Sequence, residues 1–373
     1  MPNILDHAKE AGAWSLDERP FDALDALIAS QLVYMPLEGF WRADTRCALR
    51  EAAAFLVSGV DPEGLDVFQK KRYALFVECA SQPRYADWQL SGYVNDVDIE
   101  REMQFCACCY DLPDGQRCVA FRGTDITVAG WKEDLNMALM TVPSQRAAVA
   151  YTERAVAGAL GGLCLTGHSK GGNLAVYAAA NVQLQAQRRV RRVYSFDGPG
   201  LDEEAMESEG YRRVAARVES FIPQSSVVGL LLSYHPAYTV VRSTALGLLQ
   251  HDAMTWQIRD GAFVRLEEVD MSARVAEEAI HNWLSRMSHQ ERSRLVTAIG
   301  QVISATRTDL VTDMLSDWKQ SARRMRQAFR ALPDGEKRFV LAQLKSLLSA
   351  GADEWLRALL DALSSSAGER EEA

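Results

Sequence analysis

Apolar residues recur at a spacing near 3.6 over residues 21–33, 46–56 and 65–80, and that period predicts helices through most of the first 95 positions. From about residue 100 to about 262 the pattern changes to short β-rich apolar runs alternating with helix-patterned ones. Such alternation predicts a mostly parallel sheet wrapped by helices. The run 102–110 is joined by the turn-forming Leu112-Pro-Asp-Gly115 to a second run, 117–121, which reads as a β-hairpin. From about 271 onward the period is helical again, over 272–287, 289–306, 308–332 and 334–363. The chain is therefore expected to comprise a sheet-and-helix domain over 1–262, with its core sheet at about 100–262. A helical region over 263–363 and a loose polar tail over 364–373 complete it.

One of the strand-to-helix junctions carries candidate chemistry. Residues 166–172 read TGHSKGG, between the apolar run 162–165 and the Ala-rich, helix-patterned 173–180. In a G-x-S-x-G turn this sharp, a side chain at either flanking glycine would strike the neighbouring strand or helix. Ser169 is thereby pushed out above the sheet, over the helix N-terminus, as a candidate nucleophile. A serine between glycines is also ordinary loop composition. The preceding strand, the following helix and a third glycine, Gly172, favour the catalytic reading.

A nucleophile of this kind needs an acid and then a histidine later in the chain. Of the six histidines, His7 and His168 precede the serine, and His281 and His289 lie in or beside a charged helical stretch. His235 is a possible partner, but His251, in a loop between the apolar run 248–249 and a strand-like 255–258, fits best. For the acid, the β-rich run 192–196 ends in Asp197-Gly-Pro-Gly200, a carboxylate at a strand's end followed by turn residues. Asp197 is favoured, with Asp202, Glu219 and Asp252 as alternatives. An oxyanion hole needs two N–H donors. One is the amide of Lys170, after the nucleophile, and the other is that of Thr124, where the run 117–121 enters a glycine turn.

The ordered set FRGTD, GWKEDLNM, GHSKGGNLAVYAA, SFDGPG, PQSSVVG and QHD resembles the bacterial Mbeg1-like family, related to the class 3 lipase branch of the α/β-hydrolases. The resemblance runs from about residue 20 to about 265. It implies an α/β-hydrolase fold with an additional C-terminal helical region, and a serine hydrolase of lipase or esterase type. Class 3 lipases carry their acid in an Asp-x-Val-Pro context, where this chain reads Ser226-Val-Val-Gly229 without a carboxylate. Pancreatic-type lipases instead use a turn similar to Asp197-Gly-Pro-Gly200, which favours Asp197 again.

Composition narrows the classes further. A formal net charge of −9 argues against nucleic acid or an anionic membrane surface as the main partner. No apolar run approaches the length of a membrane span, the first ten residues lack a signal peptide's pattern, and the seven irregularly spaced cysteines suit a reducing compartment. The cytoplasm is the expected location. Cys106 and Cys109 spell C-x-x-C, but no second ligand pair lies at metal-site spacing, so a buried strand is expected. The expected function is hydrolysis of a small-molecule or lipid ester, or a thioester, by Ser169, His251 and Asp197, with no cofactor and no metal. A hydrolase acting on amides and a non-catalytic, partner-binding protein are the alternatives. The apolar stretch 223–249 is expected to line an acyl pocket, to form a lid, or to be ordinary core. Trp283, Trp318 and Trp355 in the C-terminal helices are either core or anchors for a protein partner.

Overall fold

Parallel strands cannot be joined by tight hairpins, so a run of five in sequence order needs four crossover connections. The computed structural model has this arrangement and describes residues 1–41, 45–98, 103–124, 137, 142–226, 228–230, 237–305 and 318–349. The strands are β1 (Arg46–Ala48), β2 (Gln89–Asp98), β3 (Met103–Asp111), β4 (Arg117–Phe121), β5 (Leu163–His168), β6 (Val190–Phe196), β7 (Val218–Pro223) and β8 (Tyr238–Val241). They lie in that order, with β11 (Arg265–Leu266) at the far edge. Strands β1 to β4 pair antiparallel, β4 to β8 pair parallel, and β11 returns antiparallel to β8. The short strands β9 (Ile258–Arg259) and β10 (Ala262–Phe263) form a separate hairpin. This mostly parallel sheet with flanking helices is an α/β-hydrolase fold.

The predicted hairpin is present as β3 and β4, with Tyr110 opposite Cys118. The first 95 residues are less uniformly helical than their pattern suggests. Helices α1 (Ile4–Ala11), α2 (Ala23–Leu32), α3 (Leu49–Gly59), α4 (Val67–Ser81) and α5 (Pro83–Ala86) are interrupted by β1 and followed by β2. Strand β2 hides its period because its register shifts between Ser91 and Val94, around Gly92 at φ 62°.

With α6 (Pro143–Ala157) and α7 (Lys170–Asn181) occupying the crossover face, α2 covers the other. It packs against β4, β5 and β6. All its residues except Ala23 are buried. Successive residues of β5 show the two faces directly. The Thr166 hydroxyl donates to the Ala26 carbonyl of α2 at 3.0 Å, whereas Gly167 abuts Gly171 of α7. Alternation also separates the two cysteines of the C-x-x-C pattern in β3. Cys106 meets the Val33 carbonyl just after α2, and Cys109 meets the Tyr151 hydroxyl of α6. All seven cysteines are buried and none is in a disulfide.

The N-terminal covering layer is anchored by one buried ion pair. Arg84 of α5 makes bidentate bonds to Asp25 of α2 at 2.8 and 2.6 Å, and its remaining N–H groups donate to the carbonyls of Trp14, Ser15, Arg19 and Pro20. Both side chains are 1% exposed. Removing one partner strands a charge in the interior, so Arg84→Met is expected to cost about 3–5 kcal/mol, read as a lower urea midpoint. The double variant Asp25→Leu, Arg84→Met should recover most of that loss, because no charge is then left unpaired.

By its contacts the chain divides into two compact units, Met1–Thr124 with Val142–Asp270, and Asp125–Thr141 with Met271–Ala373. In the second unit the helices α11 (Met271–Ser285), α12 (His289–Ser304), α13 (Trp318–Ala331) and α14 (Asp334–Ser349) follow the short α8 (Leu184–Gln187), α9 (Glu203–Glu207) and α10 (Glu209–Val214) of the first. Their core is built from Met287, Leu295, Ala298, Phe329, Val340 and Leu344 among others. Trp283 packs against it, with its indole N–H on the Gln343 carbonyl at 3.0 Å. The Trp318 side chain and Trp355 lie outside what is described. No helix among the described residues is long and apolar enough to cross a membrane.

Candidate active site

Three glycines explain why the chain between β5 and α7 turns so sharply. A Cβ on Gly167 would lie 2.1 Å from the Gly171 carbonyl, and one on Gly171 would lie 2.1 Å from the Phe121 carbonyl of β4. A Cβ on Gly172 would crowd the Ser195 hydroxyl and Gly198. Glycine alone lets the strand, the turn and the helix approach this closely. The turn forces Ser169 to φ 59°, ψ −133°, a left-handed conformation that costs a non-glycine residue about 1–3 kcal/mol. Its amide donates to the Phe196 carbonyl at 2.9 Å, and its carbonyl accepts from Gly172 at 2.8 Å.

Asp197, immediately after β6, is also left-handed, at φ 47°. Its amide donates to the Phe221 carbonyl of β7 at 2.7 Å, and its side chain is 1% exposed. Both carboxylate oxygens are engaged. Oδ1 accepts from the Ser226 hydroxyl at 2.5 Å and from the Gly229 amide at 3.1 Å. Oδ2 lies 2.6 Å from Nδ1 of His251, at the end of the 3₁₀ turn Gly247–His251. An ionised carboxylate only accepts, so Nδ1 carries the proton of that bond and Nε2 is left as the basic nitrogen.

The His251 ring lies 4.7 Å, centroid to centroid, from that of His168, the residue before Ser169. The first unit thus places the paired Asp197 and His251 beside the residue that precedes Ser169. Among the described residues no hydrogen bond joins the Ser169 hydroxyl to the His251 imidazole. Hydrogen bonds at catalytic sites are often long or misaligned before substrate binds, so Ser169 stays a candidate without this one.

The two expected oxyanion donors flank the same turn. Lys170 opens α7, and Gly123, preceding Thr124, sits so close that a Cβ there would lie 2.9 Å from the Ser169 Cβ. The Lys170 ammonium points elsewhere: it is buried and donates to the Gln104 carbonyl of β3 at 2.8 Å.

The alternative acids have local tasks. Asp202 caps α9, Glu219 pairs with Arg192, and Asp252 binds Lys71 at 2.6 Å while capping the turn Ala253–Thr255. His235 and the side chains of His281 and His289 lie outside what is described. The stretch 223–249 includes residues 227 and 231–236, also outside it. A cavity of about 30 Å³ lies behind the acid turn, between Val176, Gly198, Leu201, Ile222, Gly229 and Tyr238. It holds a water or two at most, and neither Ser169 nor His251 lines it. Among the described residues no cluster of histidine, cysteine and carboxylate side chains could hold a metal ion.

Sequence reasoning missed the support of the Asp197 carboxylate. Ser226 occupies the very segment whose lack of a carboxylate sets this chain apart from class 3 lipases, and its hydroxyl reaches Asp197 instead. Gly229 is required there, because a Cβ would lie 2.4 Å from Asp197 Oδ1. Ser226→Ala removes one buried bond to a charged oxygen while the Gly229 amide still holds it, and is expected to cost about 1.5–3 kcal/mol, read as a lower urea midpoint.

The Mbeg1-like family model matches residues 79–301. No curated protein matches the chain. Among solved structures it is similar to the crystal structure of M37 lipase, at 13% identity and a TM-score of 0.36, over 56% of this chain and 70% of that one.

Proposed function

We propose that this chain, which belongs to the Mbeg1-like family, is a serine hydrolase that cleaves a carboxylic ester or thioester through Ser169, His251 and Asp197. The observation that carries the reading is the 2.6 Å bond between Asp197 and His251, which come from separate loops 54 residues apart, beside a strained serine at the head of a helix. Backbone strain of that kind persists where the surroundings enforce it, and it collects at functional sites.

In the reaction, substrate binding brings the Ser169 hydroxyl and Nε2 of His251 into contact. Nε2 takes the hydroxyl proton as the serine oxygen bonds to the carbonyl carbon. The Thr124 and Lys170 amides receive the developing oxyanion, and Asp197 stabilises the imidazolium and its orientation. Collapse of the tetrahedral intermediate breaks the bond to the leaving oxygen or sulfur, which takes the proton from Nε2. Water then repeats the sequence on the acyl-enzyme and restores Ser169.

Treatment with a fluorophosphonate tests this. The folded protein should gain one covalent adduct, found by mass spectrometry on the peptide containing Ser169, and Ser169→Ala should gain none. A folded wild type that stays unlabelled would point to a binding protein on a hydrolase fold. A chain-length series of p-nitrophenyl esters then measures the acyl site, since indifference to length would exclude an apolar pocket.

A further inference from the structure

The residue before the candidate nucleophile belongs to a chain of hydrogen bonds that the mechanism above does not use. His168, the last residue of β5, is 2% exposed. Its Nε2 lies 2.7 Å from the backbone carbonyl of His251, and its Nδ1 lies 3.3 Å from the hydroxyl of Tyr34, just beyond α2. The same hydroxyl accepts from the Gly123 amide at 3.1 Å. Four separate stretches of chain therefore meet at one imidazole and one phenol.

Donor and acceptor rules fix where the protons lie. A carbonyl can only accept, so Nε2 of His168 must carry hydrogen. Burial first, and then the adjacent His251 and Arg72 charges, hold this imidazole's pKa well below the ordinary histidine range, so it has one ring proton. Nδ1 is then an acceptor, and Tyr34 must be its donor. Tyr34 is itself held in place, with the Arg72 guanidinium 3.8 Å above its ring and anchored to Gln31 at 3.1 Å.

Resting on the hydrolase reading for its effect on rate, we infer that His168, set in its Nε2–H tautomer by Tyr34, is a positioning residue that ties the loop carrying His251 to the turn carrying Thr124. The tie runs through the residue that immediately precedes Ser169. Because the Gly123 amide is committed to Tyr34, the bond also fixes the backbone that presents the next amide, that of Thr124. A neutral His168 suits its place 4.7 Å from a ring that becomes an imidazolium during acyl transfer. A second cation there would oppose the proton transfer.

Two measurements test the tie. Histidine ring ¹⁵N NMR on the full-length protein should show His168 neutral, with its proton on Nε2, from about pH 6 to about pH 9. A proton on Nδ1 would overturn the inference. In p-nitrophenyl acetate hydrolysis, Tyr34→Phe should lower kcat about tenfold or more at unchanged KM, since it loosens geometry without touching substrate. His168→Gln, whose amide still reaches the His251 carbonyl, should keep about tenfold more kcat than His168→Leu. A Tyr34→Phe enzyme within about twofold of wild type, or equal rates for the two His168 variants, would sink it. If wild type neither hydrolyses esters nor labels, the hydrolase reading falls alone, and the position of the His168 proton decides whether the tie exists.

Discussion

Ser169→Ala is expected to leave a folded protein whose ester hydrolysis is slower by about 10⁴–10⁶-fold, with substrate binding little changed. The size follows from the proposed cooperation of the three side chains: in that mechanism, without a nucleophile the imidazole and the carboxylate have nothing to activate. The residual rate would come from binding and the oxyanion donors alone. Single-turnover hydrolysis with the variant in excess over substrate measures this, and a fall below about 100-fold would remove Ser169 from the reaction. The same position makes a separate stability prediction. Glycine adopts φ 59° without the clash that any Cβ incurs, so Ser169→Gly should melt at a higher temperature than wild type while being equally inactive. Strain at this serine would then be a cost that stability bears for chemistry.

Asp197→Asn should lower kcat by about 10⁴-fold with KM nearly constant. Asparagine tolerates the left-handed backbone at φ 47° and can still accept from Ser226 and Gly229, so the fold is expected to persist. Its amide, however, donates where the carboxylate accepted. Nδ1 of His251 must then become the acceptor and the ring proton moves to Nε2, which can no longer take the serine proton. Ring ¹⁵N shifts of His251 report the exchange of tautomers directly, and unchanged thermal melting separates it from unfolding. A loss of less than about tenfold would transfer the acid's role to another residue.

How much of this was legible in the chain depends on the range of each interaction. The sharp turn around Ser169 was readable because its constraint is local: glycines at 167, 171 and 172 are required by atoms that every strand-turn-helix of this type places nearby. Asp197 was readable as a carboxylate ending a β-rich run, and His251 as the loop histidine after it. Their meeting was an inference from order in the chain, which the 2.6 Å bond supports. The hydroxyl of Ser226 was invisible, since nothing in a serine's neighbours says which distant oxygen it will reach. Tyr34 and His168 were unreadable as a pair for the same reason, standing 134 positions apart. Strand β2 was missed on local grounds: a bulge at Gly92 breaks the alternation by which strands are recognised.

The helix α2, buried around nearly its whole circumference beneath β4 to β6, has a consequence for how the protein is made. It leaves the ribosome early, yet the last strand it packs on, β6, ends only at Phe196. At about 5–20 residues per second, an oily segment must wait for roughly ten to thirty seconds before its berth is complete. Over that interval the nascent chain is a client for holding chaperones, and slowing translation between these two points should raise aggregation.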